Sequence, residues 1–142
     1  MQLQDRVTFH GSLTDGELAR LMEKCDCLCL PSIERTEAFG LVLLEAMYFG
    51  KATVISDVPG SGMGWIVDDG VTGIKVRPRD AAALADAFVQ LAENRDRLTE
   101  MGRRGKDKFE QEFEINRAVN GIIDTYRSVI PSEFKKFEPE NS

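Results

Sequence analysis

No stretch of the 142-residue chain stays apolar for the roughly 20 residues that a bilayer-crossing helix needs. The opening residues, Met1-Gln2-Leu3-Gln4-Asp5-Arg6, lack the apolar core of a secretion signal. Basic charge is also scarce: 18 Lys and Arg stand against 24 Asp and Glu, a net charge of −6. DNA, RNA and anionic membranes require a basic footprint, so the balance argues against all three as partners. Histidine occurs once, at His10, and cysteine three times, at Cys25, Cys27 and Cys29. C-x-C-x-C with one distant histidine is not a zinc spacing, so no metal site is expected. On a strand, that period of two puts the three thiols on one face as small buried apolar residues. Neither a fixed-period repeat nor a long linker is present. A composition of 42% apolar and 30% charged residues suits one compact soluble domain, and a cytoplasmic location is expected.

What is present alternates in type along the chain. Val7-Thr8-Phe9-His10 reads as a short strand ending at Gly11. Thr14 and Glu17 form a T-x-x-E capping box, followed by the helical stripe Leu18, Leu21, Met22 and Cys25. Cys27 to Leu30 is a continuous apolar run stopped by Pro31, as in a buried parallel strand. An apolar helix runs from Phe39 to Phe49 and closes at Gly50. A strand at 52–56 follows, then a glycine-rich loop at 59–64 and a helical turn around Trp65-Ile66-Val67. Gly73 to Val76 reads as a fourth strand, and Asp80 caps a helix with Leu84, Phe88 and Leu91 on one side. Beyond residue 93 the pattern is helical only, with Phe109 and Phe113 one turn apart and Val119, Ile122, Ile123 and Tyr126 in period. The expected fold is α/β: a Rossmann-like parallel sheet with flanking helices and a helical C-terminus. Residues 1–130 are expected to form the domain and the polar, proline-broken 131–142 a flexible tail.

The chemistry concentrates in Glu37-Ala38-Phe39-Gly40-Leu41-Val42-Leu43-Leu44-Glu45. Glu45 is the one charge on an otherwise apolar helix. A helix apolar nearly all round belongs in a packed layer, so the carboxylate is expected to need a partner, and sugar hydroxyls or an arginine would both serve. Glu37 sits just before the helix. Eight helical residues would separate the two acids by about 12 Å and roughly 80° beyond two turns, too far for a facing glycosidase pair about 5 Å apart. Between them a helix start offers amides and a partial positive charge, and Gly40 lets an anion approach the backbone. Polyol, phosphates and polyol in series fit that order, although an exposed loop acid at Glu37 and an internally paired Glu45 fit the residues too. The Gly60-x-Gly62-x-Gly64 spacing is not a dinucleotide fingerprint and reads as a mobile loop near the ligand. Arg103-Arg104-Gly105-Lys106 is flanked by acids and reads as a solvated helix face.

The wording E-x7-E in E-A-F-G-L-V-L-L-E-A-M resembles the signature of the group-1 retaining glycosyltransferases of GT-B fold. The resemblance extends through Val7-Thr8-Phe9-His10-Gly11 and Leu30-Pro31-Ser32 before that stretch, and Asp57-Val58-Pro59-Gly60-Ser61-Gly62 and Asp69-Gly70-Val71-Thr72-Gly73 after it, in the same order. The resemblance implies the C-terminal donor-binding domain, truncated on its N-terminal side and without the acceptor domain. It implies a catalytic-site role for Glu37 at the donor sugar and backbone contacts from Phe39, Gly40, Leu41 and Val42 to sugar and diphosphate. It further implies ribose binding by Glu45 and proximity of Gly11, Ser12 and Leu13 to the base. The donor would be a nucleotide-diphosphate sugar with no cofactor and no obligatory metal, and the product a polysaccharide or glycoconjugate, with wording nearest to mannosyl- or rhamnosyl-type enzymes. Any peripheral membrane association would come through the missing domain. Such a fragment is not expected to transfer sugar alone; the alternative is a free-standing nucleotide-sugar-binding module completed by a partner chain.

Overall fold

The computed structural model describes residues 4–35 and 39–129. Helix α1 spans Asp15–Lys24 and starts on the expected capping box: the Glu17 amide donates to the Thr14 hydroxyl, and the Thr14 amide to the Glu17 carboxylate at 2.9 Å. Strand β1 is Cys27–Leu30, helix α2 Leu41–Tyr48, strand β2 Ala52–Ser56, helix α3 Met63–Ile66 and strand β3 Gly73–Val76. Helices α4 (Ala81–Glu93) and α5 (Arg95–Lys108) follow, then a π-helical turn at Phe109–Phe113 and helix α6 (Ile115–Val129). Asp80 and Asn94 cap α4 and α5 through their side chains, accepting from the Ala83 and Arg97 amides at 2.9 Å each.

The strands lie in the order β1-β2-β3, all parallel, with Cys27 opposite Ala52 and Thr53 opposite Gly73. Period two divides each strand between two cores. Ala52, Val54, Ile74 and Val76 pack against Ala87 and Leu91 of α4 and Leu98 and Met101 of α5. On the other face Ile55 meets Leu43 and Met47 of α2 and Met63 and Ile66 of α3. Helices therefore cover both faces of a parallel sheet, as its continuously buried strands require.

Helix α5 joins the two layers. A β-carbon at Gly102 would overlap the Gly50 carbonyl oxygen, and one at Gly105 would stand 3.4 Å from Met47 Cγ. Two glycines one turn apart thus let α5 pass against the turn that leads into β2. Phe109 and Phe113 then reach the α2 face of the core. The basic run at 103–106 is a solvated face, as its sequence suggests: Arg103 pairs with Glu100 and Asp107, and Arg104 with Glu100.

Three expectations change. Residues 7–10 are not a strand; Val7 is exposed and Phe9 is 93% exposed. A strand needs a neighbour for its backbone groups, and among the described residues none lies beside this segment. Gly73–Val76 is consequently the third strand. Cys25 caps the C-terminus of α1, so only Cys27 and Cys29 share a strand face, packed against the α4 side. On α4, Ala87 and Leu91 are buried whereas Phe88 is exposed, because the sheet lies under a narrower stripe than the apolar residues cover. The proposed tail at 131–142 lies outside the described residues. No helix among the described residues is long and apolar enough to cross a membrane.

Candidate functional site

The first turn of α2 lies where β1 ends. Pro31 stops the strand, and the chain re-enters helix at Gly40 with φ 78°, a left-handed conformation natural only to glycine. Gly40 contributes no side-chain cap; the Leu43 amide turns back to its carbonyl at 2.8 Å. The amides of Leu41 and Val42 stand ahead of the helical ladder, with the positive end of the helix dipole. Gly40 also lies against α3: a β-carbon there would come 2.9 Å from Leu43 Cδ1 and 3.2 Å from Met63 Cγ. Phe39 extends the contact, its ring 6.1 Å from that of Trp65, which in turn meets Phe113 edge-on at 5.0 Å.

The glycine-rich loop between β2 and α3 joins the same end of the sheet. Gly60 has φ 76°, and a β-carbon on it would be 3.2 Å from Arg35 Cζ and Nε. Arg35 therefore lies directly over the loop, a cation at this end of the sheet that the sequence pattern did not single out. Its position two residues before Glu37 was the available signal. Two lysines also went unnoticed. Lys75 Nζ donates to the Gly64 carbonyl at 2.7 Å, and Lys108 Nζ to the Trp65 carbonyl at 3.0 Å and the Asp68 carboxylate at 2.9 Å. They satisfy carbonyls at the end of α3, where the helix has no further turn to do so.

Glu45 is not the buried carboxylate that its apolar helix suggests. Glu45 is exposed, with Leu41 (67% exposed) and Tyr48 along the same stripe of α2. The helix buries Leu43, Ala46 and Met47, with Leu44 partly covered, and leaves Glu45 on its exposed side, so the carboxylate carries no desolvation cost that would demand a partner. Exposure leaves it accessible one turn beyond the helix start. Gly11, Ser12 and Leu13 form the turn before α1; Gly11 takes φ 64°, Gly11 and Ser12 are exposed and Leu13 is half-buried. Glu37 lies outside the described residues. Phe39, Gly40, Leu41 and Val42 are contiguous at the start of α2, at the carboxyl edge of the sheet where open α/β folds bind ligands.

Residues 1–108 match the model of the family "Glycosyl transferases group 1". This chain belongs to the group 1 glycosyltransferases. A glycosyltransferase relative, the O-antigen chain mannosyltransferase C of Escherichia coli, is 29% identical over 89% of this chain and 34% of its own length. The phosphatidyl-myo-inositol mannosyltransferase of Mycobacterium leprae is 35% identical over 94% of this chain and 34% of its own. The chain thus spans about a third of the length of these relatives. Among solved structures, HepE of Anabaena in complex with UDP-glucose superposes with a TM-score of 0.78 at 27% identity, over 89% of this chain and 34% of that one. The C-terminal domain of a group 1 glycosyltransferase from Francisella tularensis shares the fold, with a TM-score of 0.67 at 21% identity over 75% of this chain and 53% of its own. The three-stranded parallel sheet and its helices are therefore part of the C-terminal domain of a GT-B glycosyltransferase.

Proposed function

We propose that this chain carries part of the donor site of a retaining glycosyltransferase that uses a nucleotide-diphosphate sugar to build a polysaccharide or glycoconjugate. The observation that carries the reading is the left-handed Gly40 at the start of α2, packed against α3, together with Arg35 lying over the glycine loop that leads into α3. Helix-start amides and a guanidinium over the neighbouring loop are the groups a diphosphate needs. The backbone of Phe39–Val42 would take sugar and diphosphate, the exposed Glu45 the ribose hydroxyls, and the Gly11–Leu13 turn the base. Glu37 would lie at the reacting sugar carbon. The leaving diphosphate would be stabilised by helix amides and cations without an obligatory metal. HepE, a structural neighbour at 27% identity, was solved with UDP-glucose, which supports a nucleotide sugar as the ligand class.

An acceptor-binding domain outside these residues would complete the cleft and supply any peripheral membrane contact, with the enzyme in the cytoplasm and this chain inactive alone. Calorimetric titration with UDP, GDP and ADP tests the reading. One of them should bind, and Glu45→Ala should weaken it about tenfold or more, the scale of hydrogen bonds to a charged group. Because Glu45 is exposed, the substitution should leave unfolding within about 0.5 kcal/mol of the original. An unchanged isotherm for a folded Glu45→Ala chain would remove the ribose assignment.

A further inference from the structure

A cavity opens on the α4 face of the sheet, at the same carboxyl edge but across the strands from α2. Its volume is about 220 Å³, and its walls are largely apolar, formed by Pro31, Ile33, Val76 and Leu84. Ser56 also lines it. Period two puts Ser56 on the same strand face as Ala52 and Val54, which pack toward α4 and α5. Ser56 is only 3% exposed, and its hydroxyl makes no hydrogen bond among the described residues. Among the described residues no fully enclosed side-chain polar atom lacks a partner, so the Ser56 hydroxyl opens onto the cavity.

The charges around the opening favour an anion. Arg77 and Arg79 both line it, together with the first turn of the 13-residue helix α4. Arg79 is held at φ 62°, a left-handed backbone that side-chain-bearing residues seldom adopt. The opposing charge is Asp80, whose Oδ1 already accepts the Ala83 amide at 2.9 Å. Two guanidiniums and a helix start thus outweigh one capped carboxylate. At about 220 Å³ the cavity is smaller than the roughly 300–1,000 Å³ of sites for drug-sized ligands, so a nucleotide does not fit it.

We propose that this cavity binds a small anion with an apolar body, a phosphate monoester or carboxylate, whose charge meets Arg77, Arg79 and the start of α4. The Ser56 hydroxyl donates to the ligand, and Ile33, Val76 and Leu84 take its apolar part. The site is separate from the donor site and does not depend on the glycosyl-transfer reading. Amide NMR titrations of the full chain with phenyl phosphate, benzoate, inorganic phosphate and UDP test it. Phenyl phosphate or benzoate should give saturable shifts at Ser56, Arg77, Arg79 and Ala81, and the tighter of the two identifies the anionic group. Ser56→Ala, and separately Arg77→Gln with Arg79→Gln, should each weaken that binding about tenfold while the spectrum stays folded. UDP should leave these resonances in place. Shifts from phenyl phosphate and benzoate that fall instead on Leu41 and Val42 would overturn the proposal. So would variants that titrate like the original chain, inorganic phosphate binding as tightly as phenyl phosphate, or no saturable response to any probe.

Discussion

Replacing Gly40 with alanine should damage the molecule at the one place where fold and candidate site share an atom. Two costs add. Alanine in the left-handed region is disfavoured by about 1–2 kcal/mol, and Gly40 has φ 78°. Its methyl would then stand 2.9 Å from Leu43 Cδ1 and 3.2 Å from Met63 Cγ. Both neighbours are fully buried, so neither can swing into solvent, and overpacking of this kind costs about 1–3 kcal/mol. The sum, about 2–5 kcal/mol, is a large part of a small domain's stability of about 5–15 kcal/mol, yet leaves the chain folded in buffer. In urea, with a slope of about 2 kcal/mol/M, the midpoint should fall by about 1–2.5 M. Gly16→Ala is the matched control: it lies in α1, nothing stands within 4 Å of its added methyl, and the helix should gain up to about 1 kcal/mol. A Gly40→Ala midpoint that stays within about 0.3 M of the original, or rises as the control does, would refute the close-approach reasoning.

Gly102→Ala should be more severe, since its methyl meets the backbone carbonyl of Gly50 and not a flexible side chain; loss of cooperative thermal unfolding is expected, and a near-original Tm would contradict the packing of α5. Glu100 is held down to about 2 from the ordinary 4.5 by hydrogen bonds first from Arg103 and then from Arg104. A depressed carboxylate contributes stability that is present above 4.5 and lost as pH falls through about 2, so Glu100→Gln should flatten the acid limb of the stability curve in that window. Burial pushes the thiols of Cys25, Cys27 and Cys29 up, which predicts slow alkylation at pH 7.5 in the folded chain and a marked acceleration in urea. Equal rates in both would show that the strand face is open to reagent.

Local features were legible in the sequence because short-range chemistry encodes them. The Thr14–Glu17 box, the Asp80 cap, the apolar runs of β1 and β2 and the closing Gly50 each depend on residues within a few positions, and each lies where the pattern put it. The alternation of these elements determined the parallel α/β architecture, and the order of motifs from Glu37 to Gly73 determined the family. Tertiary structure decided what those residues face. Val7–His10 has strand composition and no ladder neighbour, Glu45 sits on an apolar helix and on its uncovered side, and Cys25 caps a helix two residues before its companions enter a strand. Contacts between distant segments were equally out of reach: Arg35 over Gly60, Lys108 on the Trp65 carbonyl, Gly102 against Gly50. Periodicity reports which residues share a face, but burial depends on what else packs there, and only the folded chain supplies that.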